Sequence, residues 1–534
     1  MNPLGFEPFN TINTTSLPTG NLLLNKQNKD YHHKLAKLER VQEIIDDFTL
    51  ENSKEVEINA KLAVIYAGEQ GAIPKIVQDF VDLAQEFFEV ALVDLELLEN
   101  FSGSFGGFNA KLNNEEIIEF AQAVLFVCEE ELLRFRGVYN VADFKNPESL
   151  LEKLKKNIGI YSYKEIIGYQ ENLCQYHHRR ERHCTRCANV CPTFGVDNND
   201  DLMELVFSPI DCIACGACVG VCPTNCLEYE ELPKESLGEI IEQYKGQRIF
   251  LCNTQDYRIL ASQNKNLPSD FLPLVLPSLL ILNENDLLSM VQMSGNALVV
   301  YTQNLSAPME FLNHITQQIH QQNFIFAVQQ VEFLSQLELP RIESYFYQNR
   351  YNKPYRESFA QRLQYMVKDK DYGLAKSVPA TQSRKDSVFY GEIKVNTQKC
   401  TLCLSCVGAC NVNAIFARSD DFSLRFNASF CTTCGYCVAS CPEDAMELHK
   451  EGIMLNPDFF RSQELAKDEP FLCVECGKVF STKKSIEKVL LMIGDSFAKD
   501  IKKFRTIQCC PDCKVKVMLD TTNVIAQERE ADVR

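Results

Sequence analysis

Short apolar runs separated by amphipathic stretches dominate two parts of the chain. KLAVIYAG (61–68), FEVALVDL (88–95) and AQAVLFV (121–127) predict buried strands, with an amphipathic helix over 71–88. RIFLCN (248–253), FLPLVLPS (271–278), ALVVYTQ (297–303) and FIFAVQQV (324–331) predict four more strands, with helices at 284–293 and 306–322. This alternation implies two small α/β layers, the second with a mostly parallel sheet. Residues 31–50 and 146–172 carry helical periodicity. Residues 1–30 are rich in Asn, Thr and Leu without a period, and predict a disordered arm. Residues 340–390 are polar and predict a helix plus linker. The turn AGEQGAIP lacks G-x-G-x-x-G, so it reads as a strand-to-helix turn in preference to a nucleotide site.

At 534 residues the chain exceeds what one core supports, and several domains are expected. Its net charge of −18 argues against nucleic acid as a partner. The start, MNPLGFEPFNTINTTSLPTG, has none of the features of a secretory signal. No apolar run approaches the ~18 residues of a membrane span. A cytoplasmic protein without direct membrane insertion is expected.

The 24 cysteines change the picture. Most fall in C-x2-C groups, which suit metal better than disulfide loops. Residues 400–441 contain Cys400-x2-Cys403-x2-Cys406-x3-Cys410 and Cys431-x2-Cys434-x2-Cys437-x3-Cys441-Pro442. Eight thiolates in this rhythm are what two [4Fe–4S] cubanes require, three from one run and the fourth from the other. Zinc on the same thiolates has no use for the x2, x2, x3 spacing.

A second block, 174–222, repeats the arrangement. Cys212-x2-Cys215-x2-Cys218-x3-Cys222-Pro223 is complete, but the other run is Cys184-x2-Cys187-x3-Cys191-Pro192, with Glu181 where its first ligand belongs. Cys174, upstream in CQYHHRRERHC, is the expected substitute, because thiolate matches iron better than carboxylate. His177, His178, His183 or Glu181 as ligand, or a three-iron cluster, remain alternatives. The basic insert HHRRER is either a docking or potential-tuning patch or a solvated loop. Cys473-x2-Cys476 with Cys510-x2-Cys513 predicts a four-thiolate zinc site, or a rubredoxin-like iron site. A single helix over 482–504 would carry the chain ~33 Å away, so a break at Gly494-Asp495 is expected to return Cys510 to the metal. The adjacent lysines Lys483, Lys484, Lys488, Lys499, Lys502 and Lys503 read as a solvated face. Cys128 and Cys252 read as buried packing residues. Cys226 and Cys509 adjoin ligands and are candidate spare ligands.

Residues 392–450 resemble the bacterial two-cluster ferredoxin, with Asn411 where that family usually has proline. The resemblance implies Cys400, Cys403, Cys406 and Cys441 on one cluster, and Cys431, Cys434, Cys437 and Cys410 on the other. The same logic assigns Cys174, Cys184, Cys187 and Cys222 to a third, and Cys212, Cys215, Cys218 and Cys191 to a fourth. Residues 245–335, through LPSDFLPLVLPSLLILNENDLLSMVQMSGNALVVYT, resemble the delta subunit of methyl-viologen-reducing hydrogenases, a domain also fused to heterodisulfide reductase A-type proteins. In that family the domain carries its own [2Fe–2S] cluster. Here only Cys252 lies in it, so that cluster is not expected. GSFGGFNAKL (103–112) resembles the loop before the ferredoxin inserts of the A-type subunits, whose flavin fingerprint is missing, so FAD is not expected. These resemblances imply partners of the hydrogenase, formate dehydrogenase or heterodisulfide reductase kind.

The expected fold is multidomain α/β and α+β, with two ferredoxin-like 2[4Fe–4S] units and a zinc-ribbon-like module. Its parts are an arm (1–30), an α/β domain (31–170), a ferredoxin unit (171–235), a hydrogenase-delta-like α/β domain (245–340), a helical linker (341–391), a second ferredoxin unit (392–450) and the zinc module (466–520). The expected function is single-electron transfer through four [4Fe–4S] clusters, with no catalytic site of its own. The alternatives are a non-catalytic subunit of an oxidoreductase complex and a redox sensor or maturation factor.

Overall fold

In the computed structural model, residues 18–50, 53–68, 72–346, 354–497 and 500–519 are described. Residues 1–17 of the expected arm, and Glu69 to Gly71 of the AGEQGAIP turn, lie outside them. The chain forms two compact units, Met1–Arg362 with Val378–Val388, and Leu363–Ser377 with Phe389–Arg534.

In the first unit, Glu89–Asp94, Lys61–Tyr66, Gln122–Leu125 and Val138–Asn140 pair in that order as a parallel sheet. Successive side chains of a strand face opposite sides, so Lys61–Tyr66 feeds two cores. Leu62, Val64 and Tyr66 pack with Val77, Phe80 and Val81 of the helix Lys75–Ala84 and with Leu150 and Leu154 of Pro147–Asn157. Ala63 and Ile65 face Phe105, Phe108 and Phe120. Those phenylalanines come with an antiparallel sheet, Leu98–Ser104, Gly107–Leu112 and Ile117–Phe120, that the strand reading passed over. The helix expected over 146–172 stops at Asn157; Gly159–Tyr163 and Ile167–Tyr169 are strands, because β-branched and aromatic residues replace the helical period. Cys128 is exposed, not buried: its strand ends at Leu125 and the chain has left the sheet.

The second sheet is parallel throughout, in the order Phe271–Leu276, Arg248–Asn253, Leu298–Tyr301, Ile325–Val328. Cys252 is buried in its core beside Phe250 and Tyr257. The helix Glu284–Ser294 is buried over its whole length and opens with a capping box between Asn283 and Asp286. Residues 18–30 are not loose here. Leu23 enters the second core, and its carbonyl accepts the amide of Leu267. The helix Tyr31–Asp47 packs on Lys234–Gln243, and Lys34 donates to the carbonyls of Ser269 and Phe271. The stretch expected as linker is partly built in as well. Arg362, 1 % exposed on the helix Tyr355–Val367, donates to Gln292 and Ser289.

In the second unit, Glu392–Val395 pairs with Met446–His449, and Ser423–Phe426 lies between Ile415–Arg418 and Gln463–Lys467. The chain then forms the hairpin Pro470–Leu472 and Val479–Thr482, followed by helices Lys483–Phe497, Ile501–Ile507 and Pro511–Leu519. The first helix runs through Gly494-Asp495, so the expected break falls after Phe497. Among the described residues no helix is long and apolar enough to cross a membrane.

Candidate metal centres

Each cysteine block is built from short helices under small antiparallel hairpins. In the second unit the helices are Ser405–Ala409 and Tyr436–Ala439. In the first they are Arg186–Val190 and Ala217–Gly220. Three of the four runs share one backbone path. Ala214 and Gly216, Leu402 and Leu404, and Thr433 and Gly435 all have positive φ. Alternating left- and right-handed residues turn successive amides toward a common centre, an arrangement that suits anions. Ala214, Leu402 and Thr433 accept this conformation against their own preference, a cost that clusters at functional sites.

The amides are used. Ala214 donates to Cys212 Sγ at 3.4 Å and Thr433 to Cys431 Sγ at 3.3 Å. Leu402 donates in the same way to Cys400. In each case residue i+2 reaches the first sulfur of its run. Cys174 does likewise, accepting from Tyr176 at 3.4 Å. The displaced cysteine therefore has the backbone contact of an opening ligand, although it lies outside its run. Glu181, at the sequence position of that ligand, is exposed.

Four of the sulfurs show which others lie near them. Burial, followed by Cys184, Cys222 and Cys174, pushes the Cys187 thiol well above its ordinary value. Burial and then Cys215, Cys212 and Cys191 do so for Cys218. Cys406 is pushed up to about 12 by burial, then by Cys400, Cys403 and Cys441. Cys437 is raised by burial, then by Cys431, Cys434 and Cys410. In every case one of the three neighbours, Cys222, Cys191, Cys441 or Cys410, comes from the other run. Cys400, Cys403, Cys406 and Cys441 also line one pocket, floored by Leu424 and Met446. Four thiolates so close repel one another and need a metal to ionise together.

A 4Fe–4S dicluster domain matches residues 392–442, and a 4Fe–4S binding domain matches residues 205–228. The chain carries 4Fe–4S ferredoxin-type domains. The second match spans Cys212, Cys215, Cys218 and Cys222 and leaves the irregular run outside. No curated protein matches the chain.

The insert beside that irregular ferredoxin run is tied down. His177 faces Glu171 at 3.5 Å, His178 faces Glu204 at 3.8 Å, and Arg182 pairs with Asp200 at 3.2 Å. Tyr176 is fully buried and donates to Asp200 at 2.6 Å. Of the insert's arginines, Arg182 thus has an acidic partner. A cation the sequence reading overlooked, Arg136, donates to the carbonyls of Ile210 and Cys212 at 3.3 and 2.9 Å. It lies more than 70 residues from the cysteines it supports, and no local pattern signals it.

The third centre is of another kind. The ligand atoms of Cys473, Cys476, Cys510 and Cys513 all lie within 4.8 Å of one another. Cys476 and Cys510 are 3.7 Å apart, close to the ~3.8 Å edge of a tetrahedron with metal–sulfur bonds of ~2.3 Å. Among the described residues His177, His178 and Glu204 form the other group this tight, and no ferredoxin quartet does. A single ion suits the tight set, and a cubane suits the wider ones. The amide of Cys510 donates to Cys473 Sγ at 3.3 Å. Burial raises the Cys473 thiol, but amides of Cys510, Cys476 and Glu475 outweigh it and bring it down to about 6. Cys509 is buried beside this set and donates to the carbonyl of Arg505.

Proposed function

We propose that this chain is an electron-transfer protein holding four [4Fe–4S] clusters and one structural zinc. The observation that supports the reading is that Cys187, Cys218, Cys406 and Cys437 each feel three further thiols, one of them from the other run, and Cys174 is among the neighbours of Cys187. The donor chemistry fits: soft thiolates, amides aimed at sulfur, and apolar walls. Bound cubanes supply one-electron oxidation and reduction. The residues hold them close. Cys187 lies within electrostatic range of Cys218, and Cys406 of Cys437, so each unit sets its two sites side by side.

The two units suit different ends of a path. Cys403 is exposed in the second unit, whereas every cysteine of the first quartets is at least partly buried. We assign exchange with a partner redox protein to the second unit, and storage or relay to the first. The middle domain, whose sequence we read as hydrogenase-delta-like, is assigned as a docking scaffold for such a partner, of the hydrogenase or formate dehydrogenase kind. The tight C-terminal set is read as zinc, which fixes the last three helices to their hairpin.

Iron, sulfide and zinc analysis with electron paramagnetic resonance on anaerobically purified protein tests this. About sixteen iron and one zinc per chain are expected from four cubanes and one tetrahedral site. About eight iron would leave only the second unit loaded.

A further inference from the structure

The two ferredoxin units differ at one buried position next to a crossing ligand. In the second unit the sequence after the crossing cysteine is Cys441-Pro442-Glu443-Asp444-Ala445. Asp444 is left-handed, and Ala445, buried, donates its amide to Cys441 Sγ at 3.4 Å. In the first unit it is Cys222-Pro223-Thr224-Asn225-Cys226. Asn225 takes the same left-handed turn, and residue 226 is equally buried. A thiol therefore stands where the regular unit has a methyl group.

That thiol is aimed at the irregular site. Cys226 Sγ is 3.4 Å from Cys222 Sγ and also shares a hydrogen bond with Cys174. The backbone holds the two cysteines together. Strand Ile167–Tyr169 pairs with Leu227–Tyr229, and the amide of Gln170 donates to the carbonyl of Cys226 at 2.8 Å. The chain then makes one short turn, Glu171–Leu173, into Cys174. The quartet with Glu181 at its first in-run position is thus the one that meets two further thiols, Cys174 and Cys226.

We propose that Cys174 and Cys226 are interchangeable ligands for a single iron of this cluster. The inference rests on the reading of this quartet as a cubane site. Whichever cysteine does not ligate keeps its S–H and donates it to the other. In the exchange the bond from iron to one sulfur breaks as the bond to the other forms. The proton of the incoming thiol passes to the outgoing thiolate, and no electron or co-reactant is consumed. The device gives the first unit a corner whose ligand can change without loss of iron, which the second unit, with Ala445, lacks.

The test uses full-length chain purified without oxygen, with iron counted and paramagnetic spectra recorded on oxidised and reduced samples. Cys174→Ala and Cys226→Ala should each keep the wild-type iron content. The double variant should lose the iron of this one cluster, about four per chain. Cys400→Ala, with no spare thiol beside it, should lose iron as a single variant, and adding Ala445→Cys to it should restore that iron. If Cys174→Ala or Cys226→Ala alone loses as much iron as the double variant, one cysteine is the sole ligand and exchange is overturned. Failure of Ala445→Cys to rescue Cys400→Ala would also count against it. Wild-type protein with about eight iron would remove the cubane beneath the proposal, a result distinct from any of these.

Discussion

The two ferredoxin units share a ligand rhythm and a backbone path in three of their four runs, yet one is enclosed and the other open. The helix Ala217–Gly220 of the first unit is buried along its length, and the turn Leu279–Ile281 packs on it. A Cβ on Gly220 would come within 2.1 Å of the Leu280 carbonyl oxygen. The matching residue in the second unit is Ala439, on Tyr436–Ala439, and it is exposed. The loop Cys403-Leu404-Ser405 of that unit is exposed as well. The same sulfur rhythm can therefore lie in the interior or at the surface, depending on what the rest of the fold lays over it. Burial also acts on the metal: it removes water that would stabilise added negative charge, and solvent exposure is one of the levers on cluster potential.

Four outcomes would break or sharpen this contrast. The largest concerns the ligands. Cys187→Ala, deep in the enclosed unit, should remove about four iron, because no water can replace the lost thiolate. Cys403→Ala should cost at most about one iron, since solvent reaches that corner. Equal losses in iron analysis would end the distinction. Next, exposure to air should bleach the signals of the second unit several-fold faster than those of the first. Identical decay of the paramagnetic spectra would show that enclosure does not protect. Third, Gly220→Ala should destabilise the first unit by about 1–3 kcal/mol through overpacking against Leu280. Ala439→Gly should cost only about 0.5–1 kcal/mol through backbone entropy. Thermal unfolding followed by calorimetry checks both. The smallest effect is electrostatic. Arg136→Gln should lower the potential of the cluster nearest Cys212, because a positive charge beside it favours the reduced form. A redox titration with no shift would make Arg136 only a structural tie.

Much of the site was legible because metal ligation imposes fixed offsets. The cysteine runs at 400–441 stood out by their offsets, with their grouping implied by the ferredoxin resemblance, and the two knuckles around Cys473 and Cys510 stood out by theirs. Parallel strands were legible for a related reason. Strands such as Arg248–Asn253 and Phe271–Leu276 are buried on both faces and stand out as unbroken apolar runs. Elements with mixed patterns were missed. Leu98–Phe120 alternates apolar and polar residues over short antiparallel strands, and only their partners reveal them. Residues 158–169 follow a helix without a strong break signal. Cys128 was misjudged because an apolar stretch does not say where a strand ends. Residues 340–390 were read as helix plus linker; the helix Tyr355–Val367 is present, and Arg356 and Arg362 on it are buried.

The sequence by itself determined the chemistry of this protein: thiolates in the cubane rhythm, a second block with one ligand displaced, and a separate pair of knuckles. These follow from local spacing, which the metal dictates. Only the tertiary structure decided which unit is covered, which amides reach which sulfurs, and that Cys174 and Cys226 meet. Cys174 and Cys226 are 52 positions apart, and no spacing rule joins them. The strand pair Ile167–Tyr169 and Leu227–Tyr229, with the Gln170 amide on the Cys226 carbonyl, brings the two segments together.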